Sequence, residues 1–261
     1  MDLKKMSKGK KTLTIALIVV AAVLLVIGTY FSVTGIMRRI ERNKAYDVEP
    51  ISQEQLDEIK NNDKAKKLMI VAHPDDDVIW GGAHLKYGEY YIVCITNGRN
   101  STRRPEFEEM LEKSGNSGCI LEYPDKVLSE RDDWKGVWDK IKADLEAVMT
   151  CKDWELIVTH NRQGEYGHQH HKYSHQIVTE IYDRLALDEP LYNFGKYYSK
   201  KKLPDHEDTM VKVSQEEYDF KSELVKVYKS QEKTVDSLWH MGYYEMWTQY
   251  ERYSENPGYR K

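Results

Sequence analysis

The sequence predicts an α/β fold, a mostly parallel sheet with helices on both faces, preceded by one transmembrane helix. Three observations carry this. Apolar β-type runs alternate with helical patterns between residues 67 and 198, strand candidates such as "LIVTH" are apolar almost throughout, and an uncharged 26-residue run lies near the N-terminus. Continuous apolar strands suit a parallel sheet, whose strands are buried on both faces.

The uncharged run, "TLTIALIVVAAVLLVIGTYFSVTGIM" (12–37), follows a basic tail (1–11) with Lys4, Lys5, Lys8, Lys10 and Lys11. Arg38, Arg39, Arg42 and Lys44 follow it. As a helix it covers roughly 39 Å, enough to cross a hydrocarbon core of about 30 Å with some tilt. It exceeds the apolar part of a cleavable signal, and no small-x-small cleavage site is evident near its end, so it reads as an uncleaved single-pass anchor in the bilayer. Five lysines before the span and four basic residues after it tilt the topology toward a cytoplasmic N-terminus and a domain outside the cytoplasm. A domain facing the cytoplasm is the alternative. Residues 38–65, polar and without sustained periodicity, read as a juxtamembrane linker with room for a short helix, and 66–261 as the domain.

Charge divides the same way. Residues 1–44 carry nine Lys and Arg against Asp2 and Glu41, a surplus of 7, whereas the remainder is acidic by 11 and the whole chain is −4. An acidic domain excludes nucleic acid as a natural partner. Cys94, Cys119 and Cys151 are odd in number and unclustered, which excludes a disulfide framework and a thiolate zinc site and leaves buried small hydrophobes.

The domain's elements follow in order. "KLMIVAH" (67–73) is a strand, 77–87 a mixed segment, "YYIVCITNG" (90–98) a strand and 103–114 a charged helix. "CILEY" (119–123) is a strand, 134–152 an amphipathic helix, "ELIVTH" (155–160) a strand, 168–186 a long helix and "LYNFGKYY" (191–198) a last strand. Strand and helix repeated in this way make a Rossmann-like sheet, whose binding crevice lies beyond the carboxyl ends of the strands. The polar clusters fall there: "HPDDD", "TNGRN", "YPD" and "THNRQGEYGHQHH" each follow a strand.

Five histidines, His160, His168, His170, His171 and His175, lie within 16 residues opposite the acidic cluster. Imidazole with carboxylate is the donor set a borderline ion such as Zn²⁺ takes, and a catalytic zinc needs about three protein ligands and an open position. His73, one of Asp75 and Asp76, and one histidine of the second cluster meet that need. The remaining carboxylate, beside an activated water, is a general base. An acidic cluster at a strand end can also cap the next helix through Asp76 or Asp77. His171 and His175 share a helix face but lack the glutamate of an H-E-x-x-H motif. Asn97, Arg99, Arg103 and Arg104 suit sugar hydroxyls or a phosphate, with a solvated basic loop as the alternative, and His160, ending a strand, suits the pocket lining.

"AHPDDD" with "THNRQGEYGHQHH" resembles the PIG-L/LmbE-like zinc-dependent de-N-acetylases, whose hallmarks are A-H-P-D-D-E after the first strand and G-H-x-x-H after a later one. "TNG", "RRPE", "YPD" and "YKSQ" are further echoes, and the likeness covers roughly 66–240. The resemblance implies His73, Asp76 and His171 as zinc ligands (Fe²⁺ in place of zinc is compatible) and Asp75 as general base. It implies His168 as the second catalytic histidine and Tyr166 as a group polarising the substrate carbonyl. It departs at Asp77, where the family has Glu, and at Gln169 and His170, where Pro-Asp is common. The function implied is a membrane-anchored deacetylase acting on an N-acetylated amino sugar, an N-acetylglucosamine-type glycolipid or cell-envelope glycan. The competing expectation is a catalytically silent, membrane-tethered glycan-binding module of the same fold.

Overall fold

A computed structural model describes residues 8–252. The basic-tail residues Lys4 and Lys5 lie outside the described residues. The chain divides into two units, 1–47 with 126–130, and 48–125 with 131–261.

The first unit is built on α1 (Lys8–Ala45). Among the described residues this is the one helix long and apolar enough to cross a membrane, and the apolar stretch within Thr12–Ala45 is not buried. Leu13, Leu17, Leu24, Leu25 and Phe31 all stand exposed along it, an apolar surface that water does not favour.

In the second unit the elements run α2 (Gln53–Lys60), β1 (Lys67–Val71), α3 (Asp76–Gly81), β2 (Tyr90–Thr96), α4 (Arg103–Ser114) and β3 (Ser117–Tyr123). Next in the chain come two short strands, β4 (Lys126–Val127), which belongs to the first unit, and β5 (Glu130–Arg131), of which only Arg131 belongs to the second. Then follow α5 (Trp138–Thr150), β6 (Leu156–Thr159), α6 (Gln169–Leu185), β7 (Leu191–Asn193), α7 (Gln215–Leu224), α8 (Glu232–Leu238) and β8 (Thr248–Gln249). The sheet order is β3-β2-β1-β6-β7-β8. Pairing is parallel from β3 through β7, and β8 runs antiparallel to β7.

Every residue of β2 is buried, as the continuous apolar pattern requires. Along β1, Met69 and Val71 join a core with Phe107 and Met110 of α4 and Leu224 of α7. Leu68 and Ile70, also without exposure, point by the two-residue period to the other face. Burying each such side chain is worth about 1.5–3 kcal/mol. Residues 48–65, read from sequence within the linker, carry α2, opened by a capping box between Ser52 and Gln55. Ile59 of α2 is fully buried, and Ile51 N–H donates to Asp144 Oδ1 at 3.0 Å.

The chain leaves β1 for β2 on one side, and β6 lies on the other. This reversal of strand order opens a crevice at the carboxyl ends of β1 and β6. The register Ile70↔Thr159 brings the residues after each strand to the same level.

Candidate active site

The first wall is the turn after β1. Thr96 at the end of β2 holds it, its N–H and Oγ1 both donating to the Ala72 carbonyl, at 3.1 and 2.8 Å. The His73 N–H donates to Asp76 Oδ2 at 2.9 Å, and His73 Nδ1 lies 3.1 Å from the same oxygen. Asp75 takes φ +121°, a conformation that costs a non-glycine residue of order 1–3 kcal/mol and persists only where surroundings impose it. Arg103 supplies part of that imposition. It is buried, donates to the Pro74 carbonyl and sits 3.5 Å from Asp75 Oδ1. Arg103, expected from sequence to meet substrate, is thus occupied in holding the turn.

The second wall is the loop between β6 and α6. Asn161 Oδ1 accepts from Gln163 and Glu165 N–H at 3.0 and 3.1 Å, and its Nδ2 donates to the Phe194 and Gly195 carbonyls. Gly164 at φ +66° lets the chain double back; a Cβ there would stand 2.5 Å from the His168 carbonyl oxygen. Glu165 is the hub: Oε1 accepts Asn161 N–H at 2.8 Å, and Oε2 accepts Nδ1–H of His160, at 3.0 Å, and of His171. With Nδ1 so engaged, His171 turns Nε2 into the crevice, 3.1 Å from Asp76 Oδ1 and with no hydrogen-bond partner.

His73, Asp76 and His171 offer ligand atoms that all lie within 4.8 Å of one another, and all three residues are buried. Two imidazoles and one carboxylate, one nitrogen of them orphaned in a buried site, fit a divalent cation of the zinc type. Two further groups satisfy the same distance test, His73 with His168 and His170, and His160 with Glu165 and His171.

Electrostatics separates the three aspartates. Burial and the Asp76 charge push Asp75 up to about 7, with Arg103 opposing. Burial would also raise Asp76, but His171 and His160 outweigh it and hold it well below the carboxylate range. Asp77 is driven up to about 7 by burial. It faces away from the crevice, Oδ2 accepting Tyr228 O–H at 2.7 Å and Oδ1 the Val78 N–H at 2.7 Å. The N-cap of α3 is Asp75, which makes no side-chain cap bond, so neither Asp76 nor Asp77 fills the capping place.

His168 sits at the N-cap of α6, its ring 4.7 Å from that of His73 and 4.4 Å from that of His171. Burial first, and then the neighbouring His73 and His171 rings, depress its pKa. Such a ring takes a proton when negative charge develops beside it. Tyr166 is exposed, with its ring 5.9 Å from His168 and 5.6 Å from His171. His160, expected in the pocket lining, has no exposure: Nε2 accepts the Ala72 N–H at 3.0 Å, Nδ1 faces Glu165, and the ring stacks on His171 at 3.8 Å. It braces His171 from behind. Asn97, at φ +74°, donates to Thr96 Oγ1 at 2.7 Å, and exposed Arg99 pairs with Glu122 at 2.7 Å. His175, at the back of α6, is spent on Asn193 Oδ1 and the His160 carbonyl.

Sequence reasoning missed Glu165, Asn161, Asp125 and a buried ion pair. Asp125 lies 3.5 Å from His73 Nε2. Lys221 and Glu245, 2.6 Å apart and fully buried, hold the far end of α3: Lys221 donates to the Ile79 carbonyl, and Glu245 accepts from Ala83 N–H. Glu165 lay in a loop already singled out, and a carboxylate three and six residues ahead of two histidines is the one signal that pointed to it.

A buried cluster of histidines and carboxylates lies at the switch point of a parallel sheet in an α/β protein, with the donor set of a candidate cation site. The chain belongs to the PIG-L family of de-N-acetylases: the family model described as GlcNAc-PI de-N-acetylase matches residues 68–182. It is 31% identical over 190 residues to uncharacterized protein L374 of Acanthamoeba polyphaga mimivirus, covering 66% of this chain and 74% of that protein. A solved deacetylase from teicoplanin biosynthesis, in complex with bog, aligns with a TM-score of 0.49 and 14% identity, over 65% of this chain and 86% of that one.

Proposed function

We propose that this chain is a zinc-dependent deacetylase that hydrolyses the acetamide of an N-acetylated amino sugar carried on a glycolipid or cell-envelope glycan. The observation that carries it is the meeting of His73, Asp76 and His171 with Asp75 alongside, at the switch point of the sheet. Nδ1 of His73, a carboxylate oxygen of Asp76 and Nε2 of His171 would hold the ion. When bound, a zinc ion polarises a carbonyl and lowers the pKa of water toward about 7; Fe²⁺ suits the same donors.

Asp75, the carboxylate left beside the proposed ligands, takes the proton of the attacking water. Tyr166 donates its O–H to the carbonyl oxygen as negative charge gathers there. His168 takes a proton from solvent as that charge develops and delivers it to the departing amine, and Asp75 returns the water's proton to solvent, leaving free amine and acetate. Asn97 and Arg99 lie on the loop after β2 and are the proposed sugar contacts, while Arg103 keeps Asp75 in its strained turn. α1 anchors the chain through 12–37, with the N-terminus in the cytoplasm and the domain outside it.

Acetate release from N-acetylated amino-sugar substrates tests the reading. Asp75→Ala or His171→Ala should abolish it while circular dichroism stays that of the wild type; retained turnover refutes the site. Metal analysis of protein purified without added metal identifies the ion, and protease access on intact cells reads the sidedness.

A further inference from the structure

His170 has no part in the chemistry above, yet it is built into the same crevice. Its Nε2 donates to the Asp132 carbonyl at 2.8 Å, so its Nδ1 presents a lone pair. Trp134 stacks on the ring at 4.2 Å and 8°, and Trp134 is itself fixed by its Nε1 donating to the Pro124 carbonyl at 2.8 Å. The lone pair points at Nε2 of His73, 3.1 Å away, the nitrogen opposite the one that faces Asp76. Asp125 Oδ1 stands 3.5 Å from His73 Nε2 and 3.6 Å from His170 Nδ1. His168 closes the group: a ring nitrogen lies within 4.8 Å of those of His73 and His170, and its buried Nδ1 has no hydrogen-bond partner. Ligands held at about 2.0–2.1 Å in a tetrahedron sit roughly 3.4 Å apart, close to the edges of the His73–His170–Asp125 triangle.

We propose that His168, His170 and Nε2 of His73, with Asp125 at the edge, form a second divalent-cation site that silences the enzyme when filled. It rests on the reading of His73 Nδ1, Asp76 and His171 as the first centre, and it takes borderline ions such as Zn²⁺ or Co²⁺. As the second cation enters, the proton shared between His73 Nε2 and His170 Nδ1 leaves to solvent and the His73 ring bridges the two ions. Two like charges on one ring repel, so the second site is the weaker. Filling it removes His168 from proton transfer, and excess cation inhibits.

The test is a Co²⁺ titration of metal-stripped full-length protein in detergent, followed by equilibrium dialysis and the cobalt absorption spectrum, and repeated with Zn²⁺. The expected result is a tight equivalent followed by a weaker one. Asp76→Ala loses the tight equivalent, His170→Gln and His168→Gln lose the weaker, and wild-type acetate release declines as the weaker one fills. A single equivalent in the wild type, or a second that survives His170→Gln, overturns the second site and leaves the first standing. Absence of any tight equivalent overturns the first centre as well. The wild-type stoichiometry decides the matter even where a variant fails to fold.

Discussion

Glu165→Gln tests what the loop after β6 contributes to the proposed cation site. The Glu165 carboxylate is buried and accepts from His160 Nδ1, His171 Nδ1 and Asn161 N–H; burial would raise it, but His160 and His171 outweigh that and hold it down to about 2. Hydrogen bonds to a charged group are worth roughly 1.5–3 kcal/mol each. Glutamine keeps one carbonyl oxygen and turns an NH₂ toward nitrogens that carry hydrogen. His171 relieves the conflict by moving its proton from Nδ1 to Nε2, the nitrogen a cation requires. Changes behind a metal-ligating histidine typically cost about 10–100-fold in affinity, or about 1.4–2.7 kcal/mol. The assay is competition for Zn²⁺ against a chromophoric chelator, with circular dichroism as the fold control. Unchanged affinity in a folded variant refutes the role of Glu165 and with it the choice of His171 Nε2 as donor.

Two further outcomes follow from the same packing. Burial would raise the Glu245 carboxyl, but Lys221 and His84 outweigh it and hold it below its ordinary value of 4.5. A depressed folded-state pKa contributes stability above that value and loses it as pH falls below, so this part of the domain weakens under acid. Glu245→Gln should remove that pH dependence and destabilise at neutral pH by about 3–5 kcal/mol, because Lys221 stays buried without its partner; unfolding curves at neutral and acid pH read both effects, and parallel curves for the two proteins would contradict them. Tyr228→Phe leaves Asp77 Oδ2 without its 2.7 Å donor and should cost roughly 1–3 kcal/mol, seen as a lower Tm. An unaltered Tm would show that Asp77 is satisfied without Tyr228.

Much of the sheet was legible because burial on both faces writes a run of apolar residues directly into the chain. "YYIVCIT" and "KLMIV" became β2 and β1 within a residue or two of their expected ends. β8 was not legible: Thr248–Gln249 has no apolar pattern and pairs with Tyr192 and Asn193 only because the C-terminal segment passes the sheet edge. Asp77 lies behind the turn, bonded away from the crevice. Its partner, 151 residues away, was beyond any local pattern.

The sequence by itself determined the apolar helix α1, the mostly parallel character of the sheet and the placing of two chemistry-bearing stretches at strand ends, since hydropathy period and motif spacing are local properties. Only the tertiary structure decided which nitrogen of each histidine faces the crevice, because that depends on partners contributed by other elements: Glu165 for His171, Asp132 for His170, the Ala72 amide for His160. It likewise decided that Arg103 and His160 turn inward. A guanidinium or an imidazole reads the same in a sequence whether it meets solvent or a buried carbonyl, and burial settles the difference.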